Sequence, residues 1–224
     1  MLRWAARKIL EACRLYGLYS LKVKGPLHDD GWFRSFEEHR PVDREGGPVP
    51  FMTYPAVEFL ARRIRPEMTV FEYGCGASTL WWSRRVKQVH AAEHQRDWYE
   101  RITAQAPPNV RIHYAPLHGL GQLDDGGGAG EESYARLALE PGIPFSIVVI
   151  DGRLRVRCAR HAVEALAPDG VIVWDNSDRV YYEPGYRFLE ERGFRRLEFV
   201  GIPPGLNEKS ETSVFYRPGN CLGI

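Results

Sequence analysis

From residue 54 onward the hydrophobic and polar positions switch regularly between two patterns. Short, nearly continuous apolar runs alternate with stretches in which apolar residues recur every three or four positions. The runs MTVFEYG (68–74), QVHAAEH (88–94), VRIHYAP (110–116), FSIVVIDG (145–152) and GVIVWDN (170–176) predict strands. The stretches YPAVEFLARRI (54–64), STLWWSRRV (78–86), RDWYERITAQA (96–106), SYARLALE (133–140), VRCARHAVEALAP (156–168) and PGYRFLEERG (184–193) predict helices. The first of these opens on Pro55 and the last closes on a glycine, as helix ends prefer. Two further β-like runs, FRRLEFVGI (194–202) and ETSVFYRPG (211–219), finish the chain. Strands this apolar must be covered on both faces, so the class is α/β with a largely parallel sheet.

Outside this alternation the pattern changes. Residues 2–19, LRWAARKILEACRLYGLY, carry Leu2, Ala5, Ile9, Ala12, Cys13 and Tyr16 at helical spacing, with Arg3, Arg7, Lys8 and Arg14 between them. Such a basic amphipathic helix is expected to pack on its own domain or on a partner; peripheral contact with a membrane is the lesser reading. Residues 24–50 are rich in Gly, Pro and charge and read as loop or extended linker. Within them Trp32, Phe33 and Phe36 cluster, either to enter the core or to line an acceptor pocket. LHGLGQLDDGGGAGEES (117–133) reads as a polar, disordered insertion. The chain therefore divides into an N-terminal helix and linker, 1–50, and one α/β domain, 51–224.

In open parallel sheets, ligands bind outside the carboxyl ends of the strands. Four features fall there: the Gly74–Gly76 loop, Glu93, Asp151 and Asp175. A Gly-x-Gly alone can simply serve a tight turn. In FEYGCGASTLWW (71–82), however, Glu72 stands two residues before the first glycine, and Thr79 stands where a dinucleotide-binding loop has its third glycine. A carboxylate there repels a pyrophosphate and suits a cationic ligand. Cys75 reads as a small loop residue, and Trp81 and Trp82 read as core.

This acid-x-Gly-x-Gly pattern resembles motif I of the class I S-adenosylmethionine-dependent methyltransferases. Glu93 ends the second strand about 20 residues on, where an acid commonly binds both ribose hydroxyls. TYPAVEFL, FEYGCGASTLWW, DGRLRVRCA and VIVWDNSDR together are similar to a group of uncharacterised bacterial methyltransferase-like proteins. The resemblance spans roughly residues 52–217. It implies a Rossmann-like, seven-stranded, mostly parallel sheet with helices on both faces and an antiparallel final hairpin. It also implies S-adenosylmethionine as cofactor, contacted by Glu72, Gly74, Gly76, Ser78, Thr79, Glu93 and Asp151. Two departures stand out. Ser78 replaces a glycine found in many members, and YAPLHG lacks the acid that often contacts the adenine side.

Asp151, Asp175 and Asn176 match by residue type the positions that hold a divalent metal in cation-dependent O-methyltransferases of the catechol type. Oxygen ligands of this kind suit Mg²⁺, Mn²⁺ or Ca²⁺. A metal held there would acidify an acceptor hydroxyl, with Asp151 also the catalytic residue. The alternatives stay open: Asp151 positions the methionine moiety or a loop, and the Asp-Asn pair is a turn. Arg153, Arg155, Arg157 and Arg160 follow Asp151 closely. They are able to recognise an anionic acceptor, or one of them pairs with Asp151 and leaves no room for metal; Arg179 is a second candidate for that place. His94, His118 and Tyr134 are candidate bases or pocket members.

Charge and composition narrow the partners. The net charge is +1, so no global field draws the chain to nucleic acid, and none is expected as a partner. The expected reaction is methyl transfer to an oxygen of a small-molecule or glycan-type acceptor. The rival from another class is a methyltransferase-like domain that binds without catalysis. A nicotinamide dehydrogenase is disfavoured by Glu72, Thr79 and the final β pair. Cys13, Cys75, Cys158 and Cys221 form no CxxC pair, which suits reduced thiols in the cytoplasm. No run approaches the ~20 apolar residues that span a bilayer. Oligomeric state is left open.

Overall fold

The apolar runs become seven strands of one sheet: β1 (Thr69–Tyr73), β2 (Gln88–Glu93), β3 (Val110–Tyr114), β4 (Phe145–Ile150), β5 (Leu166–Asp175), β6 (Arg195–Gly201) and β7 (Ser210–Tyr216). The computed structural model describes residues 2–117 and 129–224, with side chains over 7–117 and 132–224. The strand order is β3-β2-β1-β4-β5-β7-β6. Pairings among β1 to β5 are parallel, and β7 runs antiparallel to both β5 and β6. This is the predicted seven-stranded Rossmann-like sheet with its antiparallel final hairpin. The chain winds outward from β1 to β3, then returns to start β4 on the other side of β1. The crevice at this reversal, outside the ends of β1 and β4, is where such sheets hold ligands.

The helices, in chain order, are α1 (Leu2–Ala12), α2 (Tyr16–Val23), α3 (Pro26–Asp29), α4 (Trp32–Glu38), α5 (Tyr54–Ala61), α6 (Ala77–Ser83), α7 (Arg96–Thr103), α8 (Ala129–Arg136), α9 (Arg155–Ala165) and α10 (Glu183–Glu190). Side chains alternate across a strand, and the core divides accordingly. Phe71, Tyr73, Val148, Ile150, Ile172, Trp174 and Phe215 join a cluster with Tyr134, Cys158, Ala162 and Leu189 from α8, α9 and α10. Val70, Val89, Ile147, Val149, Val171, Val173 and Val214 join another with Met52, Leu60, Trp81 and Trp82. Trp81 and Trp82 are core, as expected.

Three expectations change. Residues 24–50 are not an extended linker. Gly25 and Gly31, both at positive φ, each precede a short helix, α3 and α4. The Ser35 hydroxyl donates to the Val42 carbonyl at 2.7 Å and accepts from its N–H at 3.0 Å. Val42, Val49 and Met52 are buried, and Trp32 Nε1 donates to the Leu206 carbonyl in the β6–β7 connection at 2.6 Å. The helix expected over 2–19 breaks at Arg14, whose φ is 57°, into α1 and α2. None of α2's residues is buried, and Leu18 and Tyr19 are exposed, so the rest of the described chain does not cover this apolar stripe. The polar insertion lies outside the described residues up to Ala129, where α8 begins. Among the described residues no helix is long and apolar enough to cross a membrane.

Candidate functional site

β1 ends at Tyr73 and α6 begins at Ala77, so Gly74, Cys75 and Gly76 must reverse the chain in three residues. Gly74 sits at φ 89°, a conformation that glycine adopts without a Cβ penalty. A Cβ on Gly74 would meet the Gly152 backbone at 3.2–3.3 Å, and a Cβ on Gly152 would meet Gly74 N and Tyr73 C at 2.9 Å. The ends of β1 and β4 thus approach backbone to backbone through two glycines. Gly76 differs. Its backbone is extended, and a Cβ there would lie 3.7 Å from the Trp98 ring, at ordinary contact distance.

Glu72 lies on the Val70 face of β1, opposite Phe71 and Tyr73, and is fully buried. Its Oε2 accepts from the Thr79 hydroxyl, and Thr79 Oγ1 accepts from Gly76 N–H at 3.0 Å. Thr79, in the place of a third glycine, therefore ties the loop to the acid beneath it. Glu72 Oε1 makes no hydrogen bond of good geometry, although the Ser78 hydroxyl is near enough to act on the carboxyl. Burial pushes this carboxyl up to about 8; the hydroxyls of Ser78 and Thr79 oppose that only in part, and Asp151 and Glu93 add to it. Burial and the nearby Glu93 and Glu72 also push the Cys75 thiol up, so Cys75 has no thiolate character, in keeping with its reading as a small loop residue.

Glu93, at the end of β2, is 3% exposed. Its Oε1 accepts from His94 N–H at 2.8 Å and Gln95 N–H at 2.7 Å, and Oε2 accepts from Cys75 N–H at 3.2 Å. Burial would raise this carboxyl, but contacts from His94, Gln95 and Cys75 outweigh it and hold Glu93 below the usual range. An ionised carboxylate offers about four lone-pair sites, so Oε2 retains room for another donor. His94 Nδ1 lies 3.0 Å from Oε1, and the Tyr134 hydroxyl, which lies against Gly152, is another buried polar atom without a hydrogen-bond partner. Burial keeps Tyr134 protonated far above its ordinary range, which suits a donor rather than a base. His118 lies outside the described residues.

Asp151 and Asp175 do come together at the ends of β4 and β5, and Arg155 holds the carboxylate of the first and the main-chain carbonyl of the second. Leu154, at φ 53°, opens α9 in the left-handed region, which costs roughly 1–2 kcal/mol for a residue bearing a Cβ. From the next position the Arg155 guanidinium turns back to the strand ends. Nε donates to the Gly152 carbonyl at 3.0 Å, Nη1 to the Asp175 carbonyl, and Nη2 to Asp151 O at 3.0 Å, Asp151 Oδ1 at 3.1 Å and Asn176 Oδ1 at 3.3 Å. The Arg155 side chain is 7% exposed and that of Asp151 26%. Asp175 Oδ1 accepts from Thr212 Oγ1 at 2.6 Å, and Asn176 Nδ2 donates to Ser210. Burial, and then Asp151, pushes Asp175 up to about 7. Burial also raises Asp151, against the pull of Arg155 and Arg179.

A divalent cation does not fit the expected set of Asp151, Asp175 and Asn176 as the chain is folded. Metal–oxygen bonds of 2.0–2.6 Å would require the guanidinium to leave. Elsewhere among the described residues no group of three or more His, Cys, Asp and Glu side chains is placed to hold a metal ion. The alternative in which an arginine pairs with Asp151 is the observed one, and the residue is Arg155 rather than Arg153 or Arg179.

Two contributors carried no sequence signal of their own. Trp98, on α7, donates to the Cys75 carbonyl and lays its ring beside Gly76; a tryptophan in an amphipathic helix reads only as core. Thr212 is separated from Asp175 by 37 residues. Arg157 and Arg160 point elsewhere: with Glu132, His161, Phe188 and Arg192 they line a cleft of about 1080 Å³ between α8, α9 and α10, which shares no residue with the strand-end constellation.

No family model matches this chain, and no curated protein resembles it significantly in sequence. Solved structures share its fold. An rRNA methylase from Streptococcus thermophilus superposes with a TM-score of 0.53 at 12% identity, covering 75% of this chain and 99% of that one. A precorrin-6y C5,15-methyltransferase from Geobacter metallireducens gives 0.52 at 13% identity, covering 81% and 96%. A precorrin 8w decarboxylase from Methanobacterium thermoautotrophicum gives 0.51 at 17% identity, covering 80% and 97%. The fold is thus that of Rossmann-like methyltransferases, and at these identities the likeness extends to the fold alone. One expectation is corrected here. The exclusion of nucleic acid, with a small-molecule acceptor in its place, does not hold, because the same fold serves an rRNA methylase. A net charge of +1 sums over the whole surface and says nothing of local charge.

Proposed function

We propose that this chain is an S-adenosylmethionine-dependent methyltransferase, with residues 51–224 forming the cofactor-binding domain. The observation that carries this reading is Glu72: a fully buried carboxyl beneath the glycine loop at the sheet's switch point, with one oxygen unpartnered. A buried, unsatisfied carboxyl is costly unless a ligand completes it. Ionised beside a ligand, it suits a cation and disfavours a pyrophosphate. The cofactor, when bound, supplies an electrophilic methyl on a sulfonium.

The chain's own residues would divide the binding between them. Gly74 and Gly76 form the loop, and Ser78 the first turn of α6, against the amino-acid end. Thr79 holds Glu72 and the loop in register, and Glu93 offers the remaining capacity of Oε2 to the ribose hydroxyls. Asp151 closes the crevice from β4. It is the one member of the acid pair with appreciable exposure, and it is the candidate for accepting a proton from an acceptor hydroxyl. No metal enters this reading.

The test is calorimetry with S-adenosylmethionine, S-adenosylhomocysteine and NAD in parallel. Binding of the first two without NAD is expected. Binding of NAD alone, or of none of the three, would overturn the reading.

A further inference from the structure

Five oxygens from two strand ends converge on one buried guanidinium: the carbonyls of Asp151, Gly152 and Asp175, Asp151 Oδ1 and Asn176 Oδ1. All-oxygen sets of this size, mixing a carboxylate with main-chain and amide carbonyls, are what a hard divalent cation gathers. Here the same convergence is produced by a planar group with five N–H donors. The surroundings confirm that the arrangement is built rather than incidental. The side chain is 7% exposed and lies 5.3 Å from the centre of the Tyr182 ring. Asp175 is fixed from its other side by Thr212, and Thr212 Oγ1 in turn accepts from Thr53 N–H at 3.2 Å. Both Leu154 and Asn176, which flank the arrangement, adopt left-handed backbone. Strained residues persist where the surrounding structure holds them.

We propose that Arg155 is a positioning residue that stands in for a divalent cation, neutralising Asp151 and drawing the ends of β4 and β5 together, so that the site is complete without metal. An internal cation differs from a bound one in two ways. It cannot be removed by a chelator, and each of its three nitrogens is engaged by the chain's own oxygens, whereas a bound metal ion can keep a coordination position open for an acceptor. This deepens the reading of the strand-end site given above. Its test uses no methyl donor, so its failure would leave the cofactor reading standing.

The experiment compares wild type with Arg155→Gln, which is neutral and of similar length, and with Arg155→Gln/Asp175→Asn. The probe is Mn²⁺, followed by loss of its free-ion electron paramagnetic resonance signal and by thermal unfolding. Wild type is expected to bind no Mn²⁺ in the micromolar range and to melt at the same temperature in Mn²⁺ and in EDTA. Arg155→Gln, with uncompensated carboxyls, is expected to melt several degrees lower, to bind Mn²⁺, and to regain part of its melting temperature on doing so. The double variant should lose that recovery. A merely structural arginine would not be replaced by a metal ion. A wild-type Mn²⁺ site that disappears on Asp175→Asn would overturn the proposal, as would a folded Arg155→Gln variant that Mn²⁺ neither binds nor stabilises. If Arg155→Gln does not fold even in Mn²⁺, the wild-type titration with and without Asp175→Asn decides alone.

Discussion

Thr212 Oγ1 donates to Asp175 Oδ1 at 2.6 Å across the antiparallel β5–β7 pair, and the same oxygen accepts from Thr53 N–H at 3.2 Å. One hydroxyl thereby joins the segment before α5, the final hairpin and the acid at the end of β5. Both residues are fully or almost fully buried, so neither bond is replaced by water when lost.

Thr212→Val keeps the shape and removes the hydroxyl. It leaves a buried carboxyl and a buried backbone N–H unpaired, and such losses cost about 1–3 kcal/mol. Urea unfolding is expected to show that loss with an unchanged slope, and Thr212→Ser should recover most of it. A Thr212→Val midpoint equal to wild type would mean that the hydroxyl does not hold Asp175.

The two glycine contacts separate stability from binding. At Gly152 an added Cβ would strike the backbone of Gly74 and Tyr73 as well as the Tyr134 hydroxyl, and backbone cannot move aside cheaply. At Gly76 it would meet only the Trp98 ring at 3.7 Å. Gly152→Ala is therefore expected to destabilise the fold by several kcal/mol, in the range of overpacked cores. Gly76→Val should leave the melting temperature nearly unchanged while abolishing S-adenosylhomocysteine binding. Undiminished binding by folded Gly76→Val would remove this loop from the cofactor site.

The elements legible in the sequence were those whose signal is local. Parallel strands such as FSIVVIDG are apolar throughout because both faces are covered, and the acids at or near the ends of β1, β2, β4 and β5 could be placed there by position alone. What the sequence did not disclose depends on pairing between distant segments. Trp98 reaches Cys75 across 23 residues and Trp32 reaches Leu206 across 174, and no local periodicity records either. Residues 24–50 looked like linker because Gly25 and Gly31 break the pattern; those same glycines allow α3 and α4 to fold back. Glu93 was placed correctly at its strand end, but its three main-chain donors were not visible. Asp151, Asp175 and Asn176 read as metal ligands because residue type alone cannot tell a cation bound from solution from one on the chain. Leu154's left-handed turn, which aims Arg155 between them, leaves no mark on the sequence.

Glu72 links binding to pH. Its carboxyl is pushed from an ordinary 4.5 up to about 8 in the folded chain, chiefly by burial. A raised acid binds its proton more tightly folded than unfolded, so its contribution to stability is complete below about pH 4.5 and is lost as pH rises through about 8. Glu72→Gln carries no proton to lose. The difference in unfolding free energy between wild type and Glu72→Gln should therefore shift against wild type between pH 5 and pH 8, in a way that Asp151 and Asp175, common to both chains, largely cancel. A cationic ligand reverses the preference, because it favours the ionised form beside it. S-adenosylhomocysteine keeps the ammonium of its parent, so its binding at pH 7 is expected to expel a proton from Glu72. Calorimetry in two buffers of different ionisation enthalpy measures that proton directly. Wild type should release a substantial fraction of one proton and Glu72→Gln distinctly less. Equal release by the two chains would place the ammonium away from Glu72, and with it the amino-acid end of the cofactor.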